Sequence, residues 1–295
     1  MSRKKSLFFG SGCALVTPFK NGDVDFLAFE ELISEQIRNG TDALIVLGTT
    51  GEAPTINENE REEIISFASN VVKKRVPLII GTGTNSTEVT LRYTKMAERL
   101  GADGCLLVTP YYNKSTEDGL YEHFKKVAGS VDIPLILYNV PTRTCVNIPL
   151  NVYGRLKEID NIVGIKEASP NVGYMSEIIS LYGDYFDVYT GNDDLTYVNL
   201  SLGGYGVISV VANLIPSYMH QLCYEFKNGS IEKSRDLSLR IIPLIREMFS
   251  EVNPVPVKEA LSQMGLCTNQ LRLPLTSSSR KEQISKILRE YALRE

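Results

Sequence analysis

Short runs rich in β-branched residues alternate with longer amphipathic stretches from near the start of the chain to about residue 227. The short runs predict strands over Gly12–Thr17, Ala43–Leu47, Pro77–Gly81, Gly104–Val108, Pro134–Tyr138, Ile162–Lys166, Phe186–Thr190 and Gly206–Val210. The stretches between them carry helix punctuation. Asn57 with Glu60 forms a capping-box pattern, and Ile64, Ile65, Ala68, Val71 and Val72 follow at helical spacing. Ser86 or Thr87 opens the next helix, with Val89, Tyr93, Met96, Ala97 and Leu100 on one face and Gly101 placed to end it. Pro149 opens another at its first turn.

Strands that alternate with helices imply a parallel sheet, because parallel neighbours need crossover connections. A doubly wound open sheet usually carries a nucleotide loop after its first strand. Here Gly10-Ser11-Gly12 is read as preceding the first strand and lacks a third glycine, and Gly81-Thr82-Gly83 also fails the full pattern. The expected fold is therefore α/β, a (β/α)8 barrel of the TIM type. Beyond residue 228 the pattern turns wholly helical, over Ile231–Val252, Pro254–Met264 and Ser279–Leu293. This predicts a barrel over residues 1–227 and a helical C-terminal extension over 228–295, packed on the barrel or on a partner subunit.

Composition narrows the function. Of 295 residues, 43% are hydrophobic and 22% charged, as in an ordinary globular chain. The net charge of −4 gives no reason to expect nucleic acid or an anionic membrane as partner. No apolar run approaches the ~20 residues of a membrane span, and the apolar start is too brief for a signal peptide, so the cytoplasm is the expected location. The five cysteines are scattered without a CxxC pair, and the two histidines, His123 and His220, form no HExxH pair. A disulfide framework, a zinc site and Ser-His-Asp chemistry are not expected; the work falls to Lys, Tyr, Thr, Asp, Glu or Arg.

Active sites of such barrels lie at the C-terminal ends of the strands, and the unusual residues of this chain collect there. Lys166 ends the run Ile162-Val163-Gly164-Ile165, where desolvation favours a neutral amine able to attack a carbonyl. The alternative at this stage is a strand-end lysine that snorkels to solvent or pairs with Glu167. Tyr138 ends the preceding strand, and neighbouring strands ~4.8 Å apart allow both side chains to enter one pocket. Thr49 and Thr50 lie in a loop between Gly48 and Gly51 that suits a carboxylate, or forms an ordinary turn. Arg143, in a Pro-constrained loop, suits a bidentate grip on a substrate carboxylate, or is a surface arginine. Gly203-Gly204-Tyr205-Gly206 precedes the last strand and reads as a tight turn at the opposite face at least as well as a phosphate loop.

The set GTTGE at 48–52, TPYYNK at 109–114, YNVPTRT at 138–144, GIKEAS at 164–169 and GVIS at 206–209 resembles the dihydrodipicolinate synthase family over essentially the whole chain. That family belongs to the N-acetylneuraminate lyase superfamily of pyruvate-dependent class I aldolases. The resemblance implies a 4-hydroxy-tetrahydrodipicolinate synthase activity, which condenses pyruvate with L-aspartate 4-semialdehyde at the start of the diaminopimelate branch of lysine biosynthesis, without a cofactor. Lys166 is then the imine-forming residue, and Thr50, Tyr138 and a Tyr112 reaching in from a neighbouring subunit form the proton relay. Thr49 and Thr50 hold the pyruvate carboxylate, with Gly191 and the Ile208 backbone nearby, and Arg143 binds the carboxylate of the semialdehyde. The role of Tyr112 implies at least a tight dimer, usually within a homotetramer. N-acetylneuraminate lyase and other aldolases of sugar-derived 2-oxo acids share the lysine and tyrosine, but Arg143 and Tyr112 favour the synthase. A non-catalytic barrel is the alternative of a different class, and the Lys166, Tyr138 and Thr50 set opposes it. In one respect the chain departs from the family's lysine-regulated members. Where these carry polar and acidic contacts, it has Ala53, Pro54, Glu58, Arg61 and Val89, though Asn85 and Tyr111 are retained, so feedback by lysine is expected to be weak or absent.

Overall fold

The structure, a computed structural model, describes residues 6–293. Eight parallel strands close into a barrel in sequence order: β1 (Gly10–Ala14), β2 (Ala43–Val46), β3 (Leu78–Gly81), β4 (Gly104–Val108), β5 (Leu135–Asn139), β6 (Ile162–Glu167), β7 (Asp187–Thr190) and β8 (Gly206–Ser209). Pairing of β1 with both β2 and β8 closes the ring. The fold is thus the expected TIM barrel, and every strand is buried along nearly its whole length, as a sheet covered by helices requires.

Two apolar layers result. Ile45, Ile79, Leu106, Ile136, Tyr138, Tyr189 and Ile208 form a cluster with Phe8, while the alternate strand residues join the larger core beneath the helices. The first strand begins two residues earlier than its apolar run suggests. Gly10-Ser11-Gly12 lies inside it, where Gly10 at φ +114° passes too close to the Asp42 carboxylate to carry a side chain. A small antiparallel hairpin, Phe19–Lys20 with Asp23–Val24, follows β1 and has no counterpart in the sequence reading.

The helices of the barrel are α1 (Phe26–Arg38), α2 (Glu58–Val72), α3 (Thr87–Arg99), α4 (Glu117–Ala128), the one-turn α5 (Pro141–Thr144), α6 (Leu150–Leu156), α7 (Val172–Tyr182), α8 (Thr196–Ser201) and α9 (Pro216–Lys227). The Asn57–Glu60 capping box forms as its spacing predicts, Ser86 caps α3, and Pro149 is the N-cap of α6. The C-terminal region holds α10 (Ile231–Arg240), α11 (Ile242–Met248), α12 (Val255–Gln263) and α13 (Lys281–Glu290). The single helix expected over Ile231–Val252 is two, because Pro243 cannot donate into a continuing ladder and instead opens α11. The last helix is shorter than the expected Ser279–Leu293. Among the described residues, no helix is long and apolar enough to cross a membrane.

Candidate active site

Lys166 lies on β6 directly between Tyr138 of β5 and Tyr189 of β7 in the strand register. Parallel pairing without offset turns all three side chains to the same face of the sheet. Lys166 and Tyr138 are each 6% exposed, and the Lys166 Nζ stands 4.3 Å from the centre of the Tyr138 ring. A cation over a ring face is attracted to its π-electrons. The next residue, Glu167, alternates to the other face, where its carboxylate accepts from Asn139 Nδ2 at 2.8 Å and from the Ser169 backbone N–H at 2.6 Å. Burial pushes the Glu167 carboxyl above its usual range. Lys166 therefore neither reaches bulk solvent nor pairs with Glu167. Its amine lies against the Tyr138 ring, near the C-terminal end of β6.

Gly191, just past β7, is what makes room for it. A side chain there would bring its Cβ to 2.8 Å from Lys166 Cε and 2.5 Å from Ala168 Cβ. Any other residue would displace the lysine stem. Ile208, on β8, is fully buried in the inner layer.

The loop after β2 is held in a strained form. Leu47 at φ +58° and Glu52 at φ +53° bracket Gly48-Thr49-Thr50-Gly51, and such left-handed non-glycine residues cost energy that the surroundings must offset. Three ties supply that restraint. Thr17 Oγ1 donates to Gly51 O at 2.8 Å, Asn253 Nδ2 donates to Thr50 Oγ1 at 2.9 Å, and Lys258 Nζ meets Glu52 Oε1 at 2.6 Å with both side chains fully buried. The second Glu52 oxygen accepts from the Arg272 backbone N–H at 3.0 Å. Asn253 also accepts, through its backbone oxygen, from Arg143 Nη2 at 3.1 Å. One residue of the C-terminal region thus ties together the hydroxyl loop and the arginine loop.

A cavity of about 540 Å³ opens above this arrangement, walled among others by Thr49, Tyr111, Tyr138, Arg143, Asn253 and Leu275. Arg143 is exposed in α5 and, among the described residues, faces no carboxylate partner. Tyr112 does not line the cavity. It stands 93% exposed at φ +70°. The structure therefore gathers Lys166, Tyr138 and Gly191 in one place, sets Thr49 and Arg143 on the cavity wall, reaches Thr50 through Asn253, and leaves Tyr112 outside.

Asn253, Lys258 and Arg272 escape sequence reasoning as braces of the site. Each lies about two hundred residues from its partner, so no local pattern could have signalled it.

Fold and site define a TIM barrel with a buried lysine set against a tyrosine ring near the C-terminal ends of its strands. The model of the dihydrodipicolinate synthetase family matches residues 7–290. A Thermotoga maritima protein named 4-hydroxy-tetrahydrodipicolinate synthase is 48% identical over 293 residues, spanning 97% of this chain and 100% of the relative. The crystal structure of dihydrodipicolinate synthase from Thermotoga maritima superposes with a TM-score of 0.95 at 47% identity, covering 98% of this chain and 100% of its own. A structure described as a monomeric dihydrodipicolinate synthase variant gives a TM-score of 0.95 at 47% identity, with 97% and 98% covered. The chain belongs to the dihydrodipicolinate synthetase family.

Proposed function

We propose that this chain is a 4-hydroxy-tetrahydrodipicolinate synthase, condensing pyruvate with L-aspartate 4-semialdehyde through an imine on Lys166. The observation that carries the reading is the buried Lys166 amine set 4.3 Å from the Tyr138 ring at the mouth of the barrel. The neutral amine adds to C2 of pyruvate, and the carbonyl oxygen gains a proton to give a carbinolamine. That hydroxyl leaves as water once protonated, forming the imine. Loss of a C3 proton gives an enamine, whose carbon bonds to the aldehyde carbon of the second substrate while the aldehyde oxygen takes a proton. The substrate's own amine then adds to the imine carbon, and Lys166 departs as the free amine. One water is released overall.

Each step moves a proton, which a phenol and hydroxyls close to the reacting atoms can pass on. Thr49 opens onto the same cavity as Tyr138, whereas the Thr50 hydroxyl is held by Asn253. This favours Thr49 beside Tyr138 in the relay and Thr50 as a fixed donor to the pyruvate carboxylate, with Gly191 and Ile208 bounding the pocket. Arg143, a cation without a carboxylate partner on the cavity wall, serves the semialdehyde carboxylate. Tyr112 completes the relay of a second copy of the chain, and its exposure supports self-association into at least a dimer. Residues 1–227 carry the chemistry, and 228–295 brace it through Asn253 and Lys258.

Feedback by lysine is expected to be weak or absent. Where an incoming ammonium would need an acid, the cavity presents Val89 and the buried Arg61 guanidinium, which donates to Gly81 O and Ala53 O, and Glu58 is drawn off by Arg92 at 3.1 Å. Calorimetric titration with lysine should show no micromolar binding and no matching inhibition.

Borohydride reduction in the presence of pyruvate tests the central claim. A covalent adduct at Lys166, lost in Lys166→Ala, is expected; an unmodified lysine would sink the mechanism. Turnover of L-aspartate 4-semialdehyde but not of N-acetylneuraminate separates the synthase from the sugar-acid aldolases.

A further inference from the structure

The pairing of β5 with β6 is irregular at its start. Leu135 lies opposite Ile162, yet the next pair is Ile136 opposite Gly164, so Val163 is an extra residue on β6. A bulge of this kind shifts all later pairs by one. Had the first pairing continued, Tyr138 would face Ile165 and Asn139 would face Lys166. A one-residue slip turns every side chain to the opposite face of the sheet. The amine would then lie under the helices, away from the Tyr138 ring. The bulge is what sets Lys166 opposite Tyr138.

On the outer face, the last pair after the bulge is Asn139 opposite Glu167, both buried. The other outward residues of the two strands, Leu135, Leu137, Ile162 and Ile165, belong to the apolar core. A carboxylate in such a layer is costly unless it is well bonded. Glu167 has its two donors, Asn139 Nδ2 and the Ser169 backbone N–H. Asn139 turns its remaining capacity to the loop that carries Arg143. Its Nδ2 also donates to Asn147 Oδ1 at 2.7 Å, and its Oδ1 accepts from the Ile148 backbone N–H at 3.0 Å. Main-chain bonds extend the tie on both sides: Asn139 O accepts from the Ala168 N–H at 2.9 Å, and Glu167 O from the Gly191 N–H at 2.6 Å. In the unshifted register Glu167 would lie one residue beyond Asn139 and lose that donor.

We propose that Asn139 and Glu167 are positioning residues that lock the bulged register, and so hold Lys166 opposite Tyr138 and the Arg143 loop closed. This rests on the reading of Lys166 as the imine-forming residue. Leucine and isoleucine neighbours pack almost equally well in either register, whereas a buried donor meets its acceptor in one only. The pair lies on the far side of the sheet from the amine. It acts through the backbone that carries Lys166 and Tyr138.

Exchanging donor and acceptor tests the lock. Glu167→Gln sets an amide N–H against either the Asn139 amide or the Ser169 N–H, and Asn139→Asp brings two carboxyls together, so each single change breaks the cross-strand arrangement. The double variant restores it with polarity reversed: the new glutamine donates to the new aspartate, which still accepts from the Ile148 N–H. The single-turnover rate of borohydride-trapped pyruvate adduct and kcat should each fall about 10- to 100-fold in the single variants, as for a reacting group displaced by ~1 Å. KM for pyruvate should move far less. The double variant should recover about tenfold or more of the rate. If the pair is merely structural, the urea midpoint falls in the single variants and returns in the double, while the rate per folded molecule never moves. That result overturns the proposal, as does a double variant that regains its urea midpoint without its rate. Should the single variants fail to fold, Glu167→Asp, which keeps the charge but shortens its reach, is measured in their place. A loss of about tenfold per folded molecule supports the lock, and a wild-type rate overturns it. Failure of wild type to trap pyruvate at all would instead refute the imine reading itself.

Discussion

Lys166 and Arg143 are both cations at one barrel mouth, and their surroundings separate their roles. The lysine is buried against an aromatic ring, where an amine can act as a nucleophile. The arginine is exposed, tethered by a single bond to the Asn253 carbonyl, and keeps the rest of its planar donor edge for an anion. Truncating it should therefore weaken one substrate only. Arg143→Ala is expected to raise KM for the semialdehyde roughly 10- to 100-fold, the worth of a charged hydrogen bond, while reductive trapping of pyruvate proceeds as in wild type. Equal loss for both substrates would place Arg143 elsewhere in the mechanism. Lys166 and Tyr138 were legible in the sequence because strand ends and register follow from apolar runs. The left-handed residues Leu47, Glu52, Tyr112 and Cys145 were not. None is a residue type that announces such a backbone, and only the tertiary contacts around each loop decide it.

At the scale of elements, the tie between α12 and the loop after β2 stands out for its burial. Lys258 is fully enclosed; burial pulls its ammonium below the usual range while Glu52 opposes that shift, and its Nζ also donates to Gln270 O at 2.7 Å and lies 4.1 Å from the Phe19 ring centre. Removing one partner of such a pair strands the other in a low-dielectric interior. Lys258→Met should cost about 3–5 kcal/mol of stability, read by urea denaturation. Adding Glu52→Leu should restore part of that loss, since an apolar pair no longer leaves an unmatched charge. The capping box of α2 and the cap of α3 could be read from spacing alone, because caps are local. The break between α10 and α11 had a local signal in Pro243 that a hydrophobic period running through it concealed. Pairing of residue 52 with 258 had no local signal at all.

For the whole molecule, the exposed Tyr112 makes a statement about assembly that mixing can check. Tyr112→Phe and Lys166→Ala are each expected to be inactive or nearly so, the first with protomer stability unchanged because its side chain buries almost nothing at home. Exchange of the two variants into mixed assemblies should regain activity, since one site then combines an intact lysine with the other chain's intact tyrosine. No recovery would mean that Tyr112 serves its own barrel or none. The barrel itself was predictable from eight alternating units. That the last quarter of the chain reaches the site was not, for it depends on three contacts whose partners lie far apart in sequence.

Those contacts also impose an order in time. Chains emerge N-terminus first, and residue 209 completes the eighth strand while Asn253, Lys258 and Arg272 are still to come. Until they are made, the Gly48–Glu52 loop lacks the Asn253, Lys258 and Arg272 ties, and Arg143 its Asn253 tether. The restraints on the site are thus the last of its parts to be synthesised.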